Sequence, residues 1–287
     1  MVLGRKVGVV ILNYKDAETT EKLCRQIADY DAIDHIVVVD NQSPDDSYER
    51  LLGLAAAKVD VIQSDKNGGY SYGNNRGAFY LMDQYDVDVL LIANPDVEFS
   101  DEFVRKTGEL ILSGRAQAAG GVMMTPRGES GVLATKYNRY ADDLWDCTFL
   151  LKYLFKRRQK KVTMGQGVID VEFLYGSLFG IDAAIFREIG GLDENVFLYC
   201  EERILGIKLK RKGYRLAIDT SVAYVHRHSV TVDRSVSKIR QMQMLFESTK
   251  YVYREYEEIN FIQRWLLQIG MKYGILIRRI IYPVLYR

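Results

Sequence analysis

Asn94-Pro95-Asp96-Val97 directly follows the apolar run Val87-Asp88-Val89-Leu90-Leu91-Ile92-Ala93. A carboxylate at the carboxyl end of a buried parallel strand faces the crevice where α/β sheets bind ligands. One hard carboxylate there can hold Mg²⁺ or Mn²⁺ against a diphosphate, because such ions leave positions for phosphate oxygens. Asn-Pro-Asp is equally ordinary turn chemistry, so the reading depends on what else reaches that edge. Phe197-Leu198-Tyr199-Cys200-Glu201-Glu202-Arg203 opens an amphipathic pattern that ends at Lys212-Gly213-Tyr214. The helix dipole favours paired glutamates at such a start. A glutamate that also faces a cleft can act as a general base. His226, in Val225-His226-Arg227-His228-Ser229, is a nitrogen donor for a metal or a structural histidine.

The first hundred residues supply the scaffold. Strand-like runs at Val7 to Leu12, His35 to Val39, Val59 to Gln63 and Val87 to Ala93 alternate with helical patterns at 17–30, around 48–58 and at 75–85. That alternation predicts a parallel sheet covered on both faces. Its carboxyl edge collects Asn13-Tyr14-Lys15-Asp16, the loop from Asp40 to Asp46, Asn94-Pro95-Asp96, and a Gly-rich loop from Asn67 to Gly77. Convergent polar loops are the layout of a nucleotide site. Neither a Walker loop nor Gly-x-Gly-x-x-Gly is present, which disfavours nucleotide hydrolysis and dinucleotide binding. Tyr175 to Gly180 reads as a buried strand whose glycines admit close approach to the backbone. The long segment 127–168 carries the basic run Lys156 to Lys161 and has the length of a lid or binding segment.

Composition excludes several classes. With 48% hydrophobic and 27% charged residues, the 287-residue chain is globular in character. A net charge of +1 gives no case for nucleic acid. The odd, widely spaced Cys24, Cys147 and Cys200 fit a reduced, cytoplasmic setting without a disulfide framework or zinc site. Gly4-Arg5-Lys6 leads into a strand-length run and not a secretory signal, and no apolar stretch is long enough to span a bilayer.

In order, these segments resemble the inverting family-two glycosyltransferases of GT-A fold, particularly the bacterial rhamnosyltransferase-like branch of cell-surface polysaccharide synthesis. The matching residues are Asn13-Tyr14, Asp40-Asn41-Gln42-Ser43, Asn67 to Asn74, Asn94-Pro95-Asp96, Gly176, Gly190 to Glu194, Tyr199-Cys200-Glu201-Glu202 and His226. One departure matters. The family's Glu-Asp-x-Asp becomes Glu201-Glu202-Arg203-Ile204, so the usual base is one methylene longer and the second acid is an isoleucine.

The resemblance implies an α/β fold with a mostly parallel central sheet, helices on both faces and a C-terminal helical tail. Residues 1–100 would form the nucleotide-sugar half, 101–240 the acceptor half of the same domain, and 241–287 the tail. The implied reaction moves a sugar from a nucleoside diphosphate, dTDP-rhamnose or a UDP-sugar, to a saccharide or polyprenyl-diphosphate-linked acceptor. Asp96 would hold Mg²⁺ or Mn²⁺ with His226 as a second contact. Glu202 would be the base, with Glu201 the second choice. Asp40 and the backbone near Asn13 would hold the pyrimidine, while Asn67 and Asn74 flank the ribose or diphosphate. Asn41, Gly69, Asn94, Gly176 and Ser177 complete the donor site. A sugar nucleotidyltransferase is disfavoured by Leu12-Asn13-Tyr14-Lys15-Asp16, which lacks a Gly-rich basic loop. A non-catalytic assembly subunit is allowed by Ile204.

From Ile259 to Arg287 no acid occurs, while Arg264, Lys272, Arg278, Arg279 and Arg287 are basic. The first four of these fall within about a third of a helix circumference. Such a basic, aromatic-bearing helix predicts a chain lying peripherally on an anionic membrane, which the resemblance, with its lipid-linked acceptors, implies is the inner face of the cell membrane. Packing on the domain or on a second copy, giving a homo-oligomer, is the competing expectation.

Overall fold

The computed structural model describes residues 1–128, 135–148, 162–227 and 237–285. The basic run Lys156 to Lys161, His228 and Arg287 therefore lie outside the described residues. Among the described residues, nine strands form one sheet in the order β3-β2-β1-β4-β8-β6-β9-β5, with β7 beside β9. The strands are β1 (Val7–Asn13), β2 (His35–Asp40), β3 (Val59–Gln63), β4 (Val89–Ala93), β5 (Val97–Glu98), β6 (Ala118–Met124), β7 (Val168–Val171), β8 (Leu178–Asp182) and β9 (Leu216–His226).

The β-branched runs β1 to β4 pair in parallel, as their alternation with helices requires. The expectation of a mostly parallel sheet needs correction: the sheet is mixed. β8 runs antiparallel between β4 and β6, and β9 pairs antiparallel with β5 and β7. The cause is the connection: Pro95-Asp96 and the two-residue β5 hand the chain to α4 (Asp101–Leu112) before β6. β8 then enters from an irregular loop and not from a crossover helix, so no parallel direction is imposed.

Side chains alternate to the two faces of each strand. Val7, Val9 and Ile11 join Leu23 and Ile27 of α1 (Ala17–Ile27) and Phe103 and Ile111 of α4 in one buried layer. Val10, Val37 and Val39 join Ala78 and Leu81 of α3 (Tyr70–Tyr85), Phe186 of α6 (Ala183–Glu188) and Leu205 of α7 (Glu201–Arg211) in the other. The helix expected around 48–58 is only α2 (Ser47–Leu51) and a 3-10 turn. By contrast, α3 begins at Tyr70, inside the expected loop. Gly73 and Gly77 look helix-breaking in sequence, but a Cβ at either would strike Leu12, or Val10 and Val39. Tertiary packing thus recruits poor helix formers because only they fit against the sheet.

α5 (Tyr140–Cys147) and α8 (Lys238–Glu255) pack beside α7, and α9 (Phe261–Leu285) packs on α5 and α8. α9 crosses α5 closely at Gly270 and Gly274. Arg278 is 2% exposed, and its Nη1 donates to the Cys147 carbonyl at 3.0 Å. A cation at a helix C-terminus satisfies carbonyls that lack intrahelical partners. Arg278 is therefore not among the cations available to a membrane, contrary to the expected cluster.

Candidate active site

β5 and β9 pair so that Val97 lies opposite His226. This register brings His226 Nε2 to 3.3 Å from Asp96 Oδ2, with both side chains largely buried. Neither carboxylate oxygen of Asp96 has a hydrogen-bond partner among the described residues. Buried carboxylate oxygens are costly unless paired or bound to a cation. Two hard oxygens beside an imidazole nitrogen suit Mg²⁺ or Mn²⁺, so these residues fit the ion that the sequence assigns to them.

The second centre lies at the start of α7. Tyr199 and Cys200, the residues before it, adopt φ of 72° and 69°. Left-handed backbone at non-glycine residues costs about 1–3 kcal/mol each and persists where the surroundings impose it. The strained turn fixes the start of α7, whose first two residues are Glu201 and Glu202. The Gly176 N–H donates to Glu202 Oε1 at 3.1 Å, and a Cβ on Gly176 would meet that oxygen at 2.9 Å. The close approach read from this glycine is thus made by Glu202 itself. Glu202 also lines a cavity of about 480 Å³ with Tyr137, Tyr175, Phe246 and Met271.

Tyr224 links the two centres. Two residues from His226, it lies on the same strand face, and its hydroxyl is 2.9 Å from Ser177 Oγ. Burial raises its pKa first, and the charges of Glu202 and Asp96 both add to this. Tyr70 contributes from α3: its hydroxyl donates to the Gly176 carbonyl at 2.5 Å, and burial first, then the charges of Glu202 and Glu201, raise its pKa. Neither tyrosine is evident from sequence. The spacing Tyr224-x-His226 is the one available signal.

Burial raises Glu202 above the ordinary carboxylate range, against the hydrogen bonds of Glu202 and Gly176 N–H that lower it. Burial, and then the charge of Glu202, push Glu201 up to about 8 from 4.5. The folded chain thus holds the Glu201 proton more tightly than the unfolded chain does. Stability from this group falls as pH rises between those two values. In Glu201→Gln that loss is absent, so the thermal midpoint of the variant should gain on the parent from about pH 5 to about pH 8. Differential scanning fluorimetry across that interval checks it; parallel midpoints would refute the shift.

Other expected donor residues are placed differently. Asn13 and Asp40 are fully buried. Asn13 Nδ2 donates to Asp40 Oδ1 at 2.8 Å, and Ser43 N and Gln63 Nε2 donate to Asp40 Oδ2 at 3.0 and 3.1 Å. Neither presents an atom to the crevice in this conformation; they fix the two loops where Lys15 and Gln42 take positive φ. Asn41 Nδ2 reaches Asn67 Oδ1 at 3.1 Å and the Gly69 carbonyl at 3.0 Å. Gly69, at φ 91°, starts α3, where a Cβ would strike the Phe197 backbone. Asn74 lies within α3, fully buried, with Nδ2 on the Tyr70 carbonyl. It does not flank the crevice; its neighbour Asn75 instead clamps Leu192 and Glu194. Asn94 N donates to the Ser177 carbonyl at 2.8 Å, tying the Asn94-Pro95-Asp96 turn to the Gly176 loop.

Ile204, at the position of the missing second acid, is fully buried among Tyr137, Val196, Ile207 and Val252. Its neighbour Arg203 donates to Asp143 Oδ2 at 2.6 Å, Tyr253 Oη at 3.0 Å and Glu257 Oε2 at 2.6 Å. Breaking a buried ion pair from one side costs about 3–5 kcal/mol. Arg203→Met should therefore reduce the unfolding free energy by that order and lower the urea midpoint accordingly. A midpoint unchanged in urea titration would show that the network is dispensable.

Low-salt glycan biosynthesis hexosyltransferase Agl10 of Haloferax volcanii is 26% identical over 252 residues, covering 87% of this chain and 73% of its own. Among solved structures, mannosyltransferase PcManGT from Pyrobaculum calidifontis, in complex with GDP-Man and Mn²⁺, superimposes with a TM-score of 0.60 at 14% identity, over 97% of this chain and 75% of that one. GalNAc-T7 with UDP, GalNAc and Mn²⁺ gives 0.61 at 14% identity, over 98% of this chain and 58% of its own. TarS of S. aureus gives 0.52 at 14% identity, over 94% and 80%. At such identities the three structures speak for the fold alone. The sequence profile of Glycosyl transferase family 2 matches residues 9–190, which spans β1 to the loop after α6. This chain belongs to glycosyl transferase family 2.

Proposed function

We propose that this protein transfers a hexose, with inversion, from a nucleoside diphosphate to a hydroxyl of a saccharide acceptor in the synthesis of a cell-surface glycan. The observation that carries the reading is the Gly176-Ser177 segment, whose Gly176 N–H holds Glu202 on a cavity wall while its Ser177 carbonyl holds the turn that sets Asp96 beside an imidazole. UDP-sugars and dTDP-rhamnose are the first donors to try, with GDP-mannose added because PcManGT binds GDP-Man. The acceptor is lipid-linked and is met at the inner face of the cell membrane.

In this reading Glu202 takes the proton of the acceptor hydroxyl. The acceptor oxygen then bonds to the anomeric carbon on the face opposite the diphosphate. The anomeric C–O bond breaks, and its electron pair leaves with the nucleoside diphosphate. Asp96 and His226 would hold Mg²⁺ or Mn²⁺, which when bound supplies positive charge to the leaving group. Asn41, Asn67 and Gly69 shape the donor loop, and Ser177 holds Tyr224 between the two centres. Proton NMR of the glycosidic product tests the reading: an anomeric configuration opposite to that of the donor is expected, and retention would overturn the single displacement.

A further inference from the structure

The two sides of α9 have opposite surroundings. Leu267, Met271 and Arg278 are 2% exposed each, and Met271 and Arg278 line the cavity that contains Glu202. On the other side Phe261, Ile262, Trp265, Ile269, Leu276 and Ile280 stand in solvent, with Phe261 81% and Ile280 62% exposed. At 100° per residue these six fall within about 100° of the circumference, roughly opposite the packed face. Lys272 and Arg279, both exposed, lie at one edge of this stripe, and no acid occurs from Ile259 onward. None of the helices among the described residues is long and apolar enough to cross a membrane.

A large contiguous apolar surface on a folded chain marks a contact site. A second copy would be matched by polar groups of both signs around the stripe. Along α9 itself every charged residue is basic. That charge complements an anionic lipid surface, and an apolar face with basic flanks is the arrangement of a helix lying in the headgroup region. We infer that α9 docks on anionic membrane through its Phe261–Ile280 stripe, while its opposite face walls the cavity beside Glu202. The helix thereby holds the acceptor cavity against the surface from which a lipid-linked saccharide would come. That last step rests on the proposed function; the docking itself does not.

The test uses the full chain carrying Trp145→Phe, which leaves Trp265 as the one tryptophan. Vesicles containing about a third phosphatidylglycerol should shift Trp265 emission to the blue and co-sediment the protein at low salt, whereas phosphatidylcholine vesicles should not. Trp265→Glu with Ile269→Glu, made in the parent chain, should cut co-sedimentation by more than about tenfold. Lys272→Glu with Arg279→Glu should do so by about tenfold at low salt. All four side chains are exposed, so the thermal midpoints should hold, and transfer to a water-soluble saccharide should continue. Failure of the parent chain to bind anionic vesicles would overturn the inference. So would a concentration-dependent dimer that Trp265→Glu dissolves, because a second copy would then cover the stripe. Vesicle binding without transfer to any acceptor would leave the docking standing and sink the catalytic reading.

Discussion

Asp96→Ala should lower transfer by about 10²–10³-fold, the loss typical of removing one preorganised group that stabilises charge in the transition state. It should do so without unfolding the protein. Among the described residues the Asp96 carboxylate makes no hydrogen bond, so its removal leaves no partner stranded beyond His226. A buried carboxylate of this kind opposes folding when no cation is bound. The thermal midpoint in EDTA should therefore hold or rise in the variant. Manganese should raise the midpoint of the parent by mass action and leave that of Asp96→Ala where it is. Undiminished turnover in the variant, or in the parent with EDTA, would contradict the assignment.

Glu202→Gln is the second large effect. The amide oxygen can still accept the Gly176 N–H, so the geometry at 3.1 Å survives while the proton acceptor is lost. Transfer should fall by about 10²–10⁴-fold with donor affinity unchanged. Because burial raises the Glu202 pKa, the acid limb of kcat/KM in the parent should lie above the range of an ordinary glutamate. Initial rates for Glu202→Gln and Glu201→Gln decide between the two carboxylates. A large loss in Glu201→Gln with little in Glu202→Gln would exchange their roles.

What sequence shows and what it hides divide along physical lines. The runs β1 to β4 are legible because strands buried on both faces read as continuous β-branched segments. The Asp96 turn is legible because chain order alone places it at a strand end. The encounter of Asp96 with His226 is not, since 130 residues of chain must fold before β5 meets β9. α3 starts earlier than its sequence suggests because Gly73 and Gly77 serve packing against β1 and β2, not turn formation. The buried clasp between Asn13 and Asp40 is hidden as well, because local sequence does not report which polar groups satisfy one another. The burial of Arg278 is hidden too, because it depends on α9 approaching α5 through two glycines.

Release of nucleoside diphosphate addresses the central claim most directly. The full chain would be incubated with Mn²⁺ and a panel of UDP-, dTDP- and GDP-sugars, with and without a saccharide acceptor, and the diphosphate measured by coupled enzymatic assay. The predicted result is acceptor-stimulated release from one donor, abolished by EDTA, by Asp96→Ala and by Glu202→Gln. Release from no donor, or release indifferent to both substitutions, would contradict a transferase built on these two carboxylates.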